Sequence, residues 1–101
     1  MYINTAILYG ELAENPRVFD HDGQKCCNFR LITKKEYLTT RGKRKSIKTI
    51  PVVCFGNKAE EMKTKEKGHM VMVHGEIGLY RNELNVVAEK VAFEKHADDI
   101  H

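Results

Sequence analysis

Apolar and polar residues alternate along most of this chain, and a period of two marks strands that bury one face. Residues 3–12, Ile-Asn-Thr-Ala-Ile-Leu-Tyr-Gly-Glu-Leu, are rich in strand formers and predict a first strand. Asn15-Pro16 ends it with a turn signal, and His21-Asp22-Gly23 predicts a second turn, Asp-Gly being a strong hairpin cue. Residues 24–38 read as a long strand, with Phe29, Leu31 and Thr33 on one face and Asn28, Arg30 and Ile32 on the other. Thr39-Thr40-Arg41-Gly42-Lys43 is a polar hairpin tip, and residues 46–55 form a third strand ending in Val52-Val53-Cys54-Phe55.

The pattern then changes period. Asn57 is placed to cap a helix, Glu60 falls three residues later, and residues 58–66 are strong helix formers. Acids lead and lysines follow, as the helix dipole prefers, and Lys67-Gly68 supplies the stop. Ala59 and Met62 are its expected buried contacts over about three turns. Two more strands follow, at 69–79 and 83–93, joined by the tight turn Tyr80-Arg81-Asn82. In the first of them Val71, Val73, Gly75 and Ile77 share one face. The order β-β-β-α-β-β predicts an all-β OB-fold, a five-stranded partly open barrel with one short helix between strands 3 and 4. Gly10 and Gly75 fit places where a barrel strand bends sharply.

Length and composition agree. The chain has 101 residues, 42% hydrophobic and 31% charged, which is one domain with a modest core. Residues 1–93 are read as that domain and 94–101 as a short polar tail. No run approaches the ~18 apolar residues of a membrane-spanning helix, and Met1-Tyr2-Ile3-Asn4-Thr5 lacks the features of a signal or transit peptide, so a cytoplasmic protein is expected. The three cysteines, Cys26, Cys27 and Cys54, have neither CxxC nor zinc-ligand spacing. They read as small apolar strand residues, and no metal or cofactor is expected.

Charge changes the picture more. The net charge is only +3, but residues 30–48 hold Arg30, Lys34, Lys35, Arg41, Lys43, Arg44, Lys45 and Lys48 against one acid, Glu36. The rest of the chain is on balance acidic. Such crowding of like charge is relieved by a polyanion that releases its counterions. A solvated loop would carry the same charges, but Tyr37 lies inside the segment, with Phe29 and Phe55 just beyond its ends. Basic residues mixed with aromatics suit a single strand, whose base faces are free to stack.

These residues together resemble the bacterial-type single-stranded DNA-binding protein family. Asn4-Thr5-Ala6-Ile7-Leu8-Tyr9-Gly10-Glu11-Leu12 is similar to its first strand, Asn15-Pro16-Arg17-Val18 to its Asp-Pro-x-Val turn, and Asn28-Phe29-Arg30-Leu31-Ile32-Thr33 to its second strand. Val52-Val53-Cys54-Phe55-Gly56-Asn57-Lys58-Ala59-Glu60 is the most specific stretch. Lys67-Gly68 followed by Val71-Met72-Val73-His74-Gly75-Glu76-Ile77 continues the match, which runs in register from about residue 3 to 93. The resemblance implies an OB-fold, sequence-tolerant binding of single-stranded DNA and a homo-oligomer, usually a tetramer with a dimer as the alternative. It also implies stacking by Phe55 and by Tyr37, which stands where the family usually has Trp. Thr49-Ile50 replaces a Trp-His pair, so one stacking platform is missing, and the long tail with its acidic tip is absent apart from an echo in Ala97-Asp98-Asp99-Ile100.

Parity places Phe55 outward with Thr49 and Val53, opposite inward Ile50, Val52 and Cys54. Tyr37 shares parity with Phe29 and Leu31, yet on a strand running past the barrel edge it meets no core. Arg41, Lys43, Arg44 and Lys45 at the tip, with Lys34, Lys35 and Lys48 on the arms, are expected to contact phosphate, and Arg30 nearer the barrel to contribute less. Tyr80 and Arg81 stand in for a basic-aromatic loop of the family. No nucleophile, paired carboxylates or phosphate loop appears, so no enzyme is expected. The reading is a binding module that protects single-stranded DNA in replication, recombination or repair. The alternatives are a PriB-like primosomal protein, dimeric and helping to load a helicase with replication or primosome partners, and an OB-fold subunit that contacts protein or RNA.

Overall fold

The computed structural model describes residues 1–93, in six strands and one short helix. These are β1 (Ala6–Leu12), β2 (Arg17–His21), β3 (Gln24–Thr39), β4 (Gly42–Phe55), α1 (Asn57–Met62), β5 (Met70–Tyr80) and β6 (Glu83–Phe93). Neighbours run in the order β1-β5-β6-β4-β3-β2, and a further β1–β3 pairing joins the ends of the first five. That pairing is short, Glu11 to Ile32 and Leu12 to Leu31, but it closes the barrel. The expected OB-fold is therefore present, closed rather than partly open, with β2 as an extra strand on the edge of β3 and the helix in its expected place.

The core follows the period-two pattern. Leu12, Cys27, Phe29, Leu31, Val52, Cys54, Val71, Val73, Val86 and Ala88 point inward, and Ala59 and Met62 of α1 complete the core. Cys27 faces Cys54 across the β3–β4 ladder, both fully buried and free. Their thiol–thiol hydrogen bond, with burial, pushes the Cys27 thiol up, so it stays protonated at neutral pH. Removing a side chain such as that of Leu31 would cost about 2–5 kcal/mol. Among the described residues no helix is long and apolar enough to cross a membrane.

Three local departures from the sequence reading have physical causes. Asn4 lies before β1, where its side-chain amide donates to the Ile77 carbonyl at 2.8 Å and accepts from the Ile77 N–H at 2.9 Å, so its side chain replaces a ladder rung. The N-cap is Gly56 at φ 68 and not Asn57, and no side chain caps the helix. Glu60 instead pairs with Lys25 of β3 at 2.9 Å and with Lys63 at 3.0 Å. The helix is six residues, shorter than the nine-residue stretch 58–66 expected to form it, because the Lys63 and Lys65 N–H groups bond three residues back and tighten the chain into turns. Residues 94–101, including Ala97-Asp98-Asp99-Ile100, lie outside the described residues.

Candidate nucleic-acid interface

β3 and β4 are far longer than the barrel needs, at 16 and 14 residues. Beyond Ile32 and Thr49 their ladder runs on as a two-stranded arm, from Thr33 opposite Lys48 to Thr39 opposite Gly42. The arm raises the radius of gyration to 15.2 Å, against about 13 Å for a compact domain of this length. Gly42 turns the tip at φ 111. The Thr39 hydroxyl donates to the Gly42 carbonyl at 2.9 Å and accepts from the Arg41 N–H at 3.2 Å, so the tip has its own hydrogen bonds.

All eight basic residues of the segment are exposed. Lys34 pairs with Glu11 at 3.2 Å, Lys45 with Glu36 at 3.9 Å and Arg30 with Glu14 at 2.8 Å. Among the described residues, Lys35, Arg41, Lys43, Arg44 and Lys48 form no ion pair. The arm therefore keeps most of its positive charge open to solvent.

Ladder register divides the arm into two faces. Lys34, Leu38, Lys43, Lys45 and Ile47 share the parity of Arg30 and Phe55, while Lys35, Tyr37, Arg44 and Lys48 continue the parity of the core. Tyr37 is 46% exposed, as expected of a ring beyond the barrel edge. Its ladder partner Arg44 lies eleven residues from Phe55 along β4, about 36 Å of strand. The two rings are thus brought to opposite faces and far apart, not to one groove.

What the fold gathers around Phe55 is a different set. Phe55 is half-buried, and Tyr80 meets it edge-on, ring centres 6.4 Å apart with planes at 72°. The Arg81 guanidinium lies 5.4 Å from the centre of the Tyr80 ring and 5.6 Å from that of Phe19. Phe19, Arg81, Tyr80 and Phe55 form one row across the outside of the barrel, each cation–ring contact worth about 0.5–1 kcal/mol. Arg81 and Asn82 both have positive φ, 53 and 65, making a two-residue hairpin of the type that matches strand twist. The Asn85 amide braces that turn, donating to the Tyr80 and Glu83 carbonyls at 3.4 and 3.1 Å.

A groove of about 480 Å³ opens beside the row, with Arg17, Asn28, Arg30, Tyr80 and Arg81 among its lining residues. The Asn28 Oδ1 is buried there without a hydrogen-bond partner, a cost of about 1–3 kcal/mol. Val53 lies on this same outer face, as parity predicts, but it is fully buried, not exposed. Its ladder neighbours Asn28 and Val87 flank it, and Cys26 beside Phe19 and Phe55 is buried likewise. The outer face thus carries a small second apolar layer.

Sequence reasoning missed Arg17, Phe19 and Asn28. The signal existed: an Asp-Gly hairpin before a long strand requires a partner strand ahead of it, and alternation then puts Arg17 and Phe19 on one face. Of the expected residues, Arg30, Phe55, Tyr80 and Arg81 are gathered at the barrel, and Lys34, Lys35, Tyr37, Arg41, Lys43, Arg44, Lys45 and Lys48 lie along the arm.

The molecule is thus an OB barrel with a ring-and-arginine row on its outer face and a cationic arm where β3 and β4 run on past the barrel. The model of the Single-strand binding protein family matches residues 3–101, and the chain belongs to that family. No curated protein matches it in sequence. Among solved structures, a deletion mutant of the single-stranded DNA-binding protein from Thermus aquaticus superposes with a TM-score of 0.81 at 20% identity, over 95% of this chain and 52% of that one. This chain therefore spans about half the length of that protein. The Plasmodium falciparum SSB, solved in complex with ssDNA, gives 0.82 at 15% identity over 94% of this chain and 97% of that one. A small single-stranded DNA-binding protein from Streptomyces coelicolor gives 0.76 at 17%, over 93% and 95%. These likenesses bear on the fold.

Proposed function

We propose that the chain binds single-stranded DNA without sequence preference, through stacking on Phe55 and Tyr80 at the barrel and phosphate contacts along the arm, with Tyr37 as a separate stacking ring. The observation that carries this reading is the ring row on the outer face of the barrel, with Phe55 on β4, one of the two strands that run on into the cationic arm. A duplex cannot offer its base faces to such a row, whereas a single strand can. The biological use is protection of unpaired DNA in replication, recombination or repair, by binding without chemistry, in the cytoplasm.

The chain works as an oligomer, a tetramer or a dimer. Ile7 of β1 and Met72 of β5, both exposed on the outer face of their strands, support this. Titration of oligo(dT), followed by tyrosine fluorescence, tests the binding mode with Phe55→Ala and Arg44→Glu. Phe55→Ala should weaken binding by about 1–3 kcal/mol, and Arg44→Glu should weaken it most at low salt. Unchanged affinity in both variants would refute the mode.

A further inference from the structure

The two ends of the barrel are finished differently. At one end α1 acts as a plug, with Ala59 and Met62 fully buried in the core. At the other, where β4 comes down from the arm, the core-facing parity of β5 and β6 runs on past Val86 and is left open. Ile77 pairs with Val86 and Leu79 with Leu84, so Ile77, Leu79 and Leu84 share the face of Val86, yet they are 50, 74 and 68% exposed. Between β4 and β6 at this end lies a cleft of about 160 Å³, lined by Ile50, Pro51, Ile77, Leu84, Asn85 and Val86. The sequence accounts for it: the parallel β4–β6 ladder holds only Val52–Val86 and Val53–Val87, and Pro51, next in line, has no N–H to extend it. Asn4, bonded to both backbone groups of Ile77, holds Met1, Tyr2 and Ile3 at the same end, and all three are exposed. Such a concentration of uncovered large apolar side chains marks a contact surface.

We infer that this open end docks a second copy of the chain, in a two-fold contact that seats Leu79 of each copy in the apolar cleft of the other. The surface is self-complementary: a protruding side chain and a hollow of matching chemistry lie side by side on it, and a two-fold axis brings each to its counterpart in the other copy. About 150 Å³ of apolar space takes a benzene-sized group, so the cleft takes one leucine side chain. Charge selects against other occupants. Ile50, Pro51, Ile77, Leu79 and Leu84 give a phosphate or a carboxylate nothing to pair with, and Glu76 and Glu83 have the opposite parity on the hairpin. An uncharged surface suits a copy that carries the same uncharged surface. The contact is distinct from the outer face of β1 and β5, which carries Ile7 and Met72, and it uses none of the rings around Phe55. It goes beyond the DNA-binding reading and does not depend on it.

Both arms project from this end, so their like charges oppose the contact at low salt. The pair is therefore expected to tighten as salt screens the arms, the reverse of DNA binding. The test is sedimentation equilibrium of the whole chain, without DNA, at about 50 and 200 mM salt. It compares the parent with Leu79→Ser, Ile50→Phe and Met72→Ser, with thermal melts to check that each folds. Leu79→Ser removes the knob, and Ile50→Phe fills the hollow without adding charge. Both should weaken the contact, Leu79→Ser by about a hundredfold or more because two buried leucine side chains are lost together. Loss of association in Leu79→Ser and Ile50→Phe, with unchanged melts, supports the inference. If Met72→Ser alone assembles less than the parent, the contact lies on the outer face of β1 and β5 and the inference is overturned. A parent that stays monomeric at both salts, or one whose association weakens as salt rises, overturns it as well.

Discussion

Glu14 takes one cation of the groove out of action. Its carboxylate accepts from Arg30 Nε at 2.9 Å and from Nη2 at 2.8 Å, so phosphate competes with a neighbour already in place. Glu14→Gln is expected to tighten binding of oligo(dT) several-fold at low salt and less at high salt, read by the same titration. A second residue-scale prediction concerns packing. A Cβ on Gly10 would run into the Ile32 carbonyl oxygen, and one on Gly75 into that of Val87. Neither neighbour is a flexible side-chain end, so Gly10→Ala and Gly75→Ala should each destabilise the barrel by about 1–3 kcal/mol or more, seen as a lower urea midpoint. Glycine in these strands was legible as a bend signal. The stronger reason, close approach of a neighbouring strand's backbone, depends on pairings the sequence does not display. Parity likewise placed Phe55 and Tyr37 correctly relative to the core, but it could not reveal that Val53 is covered, because a second layer on the outer face leaves no trace in one strand's alternation.

At the scale of elements, the arm and the helix make separate predictions. Arg41, Lys43 and Arg44 sit beyond the core and form no described ion pair, so replacing all three with Gln should leave the melting temperature nearly unchanged. It should flatten the salt dependence of DNA binding by about 0.7 for each phosphate the arm no longer neutralises. The Glu60 carboxylate is held below its usual range, first by Lys25 and then by Lys63. A carboxylate lowered in the folded state stabilises above its unfolded pKa, and that stabilisation disappears as pH falls through the folded one. Glu60→Gln should therefore lower the urea midpoint at about pH 6, and the gap from the parent should close as pH drops below about 4. The long strands, the hairpin tip and the helix position were legible because each carries its own local signal. The strand β2 was not, since five residues between two turn signals look like loop until a partner is known. The cap was misread because Glu60 found better partners across space, in Lys25 and Lys63, than the backbone N–H that a capping box offers.

For the whole molecule, element order pointed to the OB barrel, and its charge asymmetry pointed to a polyanion. Closure through β1 and β3 rests on two residue pairs, too little pattern for any local reading to reveal. The binding face emerges only on assembly: β2, β4 and the β5–β6 turn each contribute one or two side chains, and only the closed barrel sets Phe19, Phe55, Tyr80 and Arg81 in one row. The arm carries charge outward from that row, so stacking and phosphate binding are separated along the same two strands. Unpaired bases and phosphates are, on this view, gripped together by one arrangement of rings and cations. The most direct test is a titration of the chain with oligo(dT) of about 15 nucleotides and with duplex of equal length, across about 50 to 200 mM salt. Tight binding to the single strand that weakens steadily with salt, and much weaker binding to the duplex, is the expected result. Equal affinity for both, or affinity for oligo(dT) that does not change with salt, would contradict it.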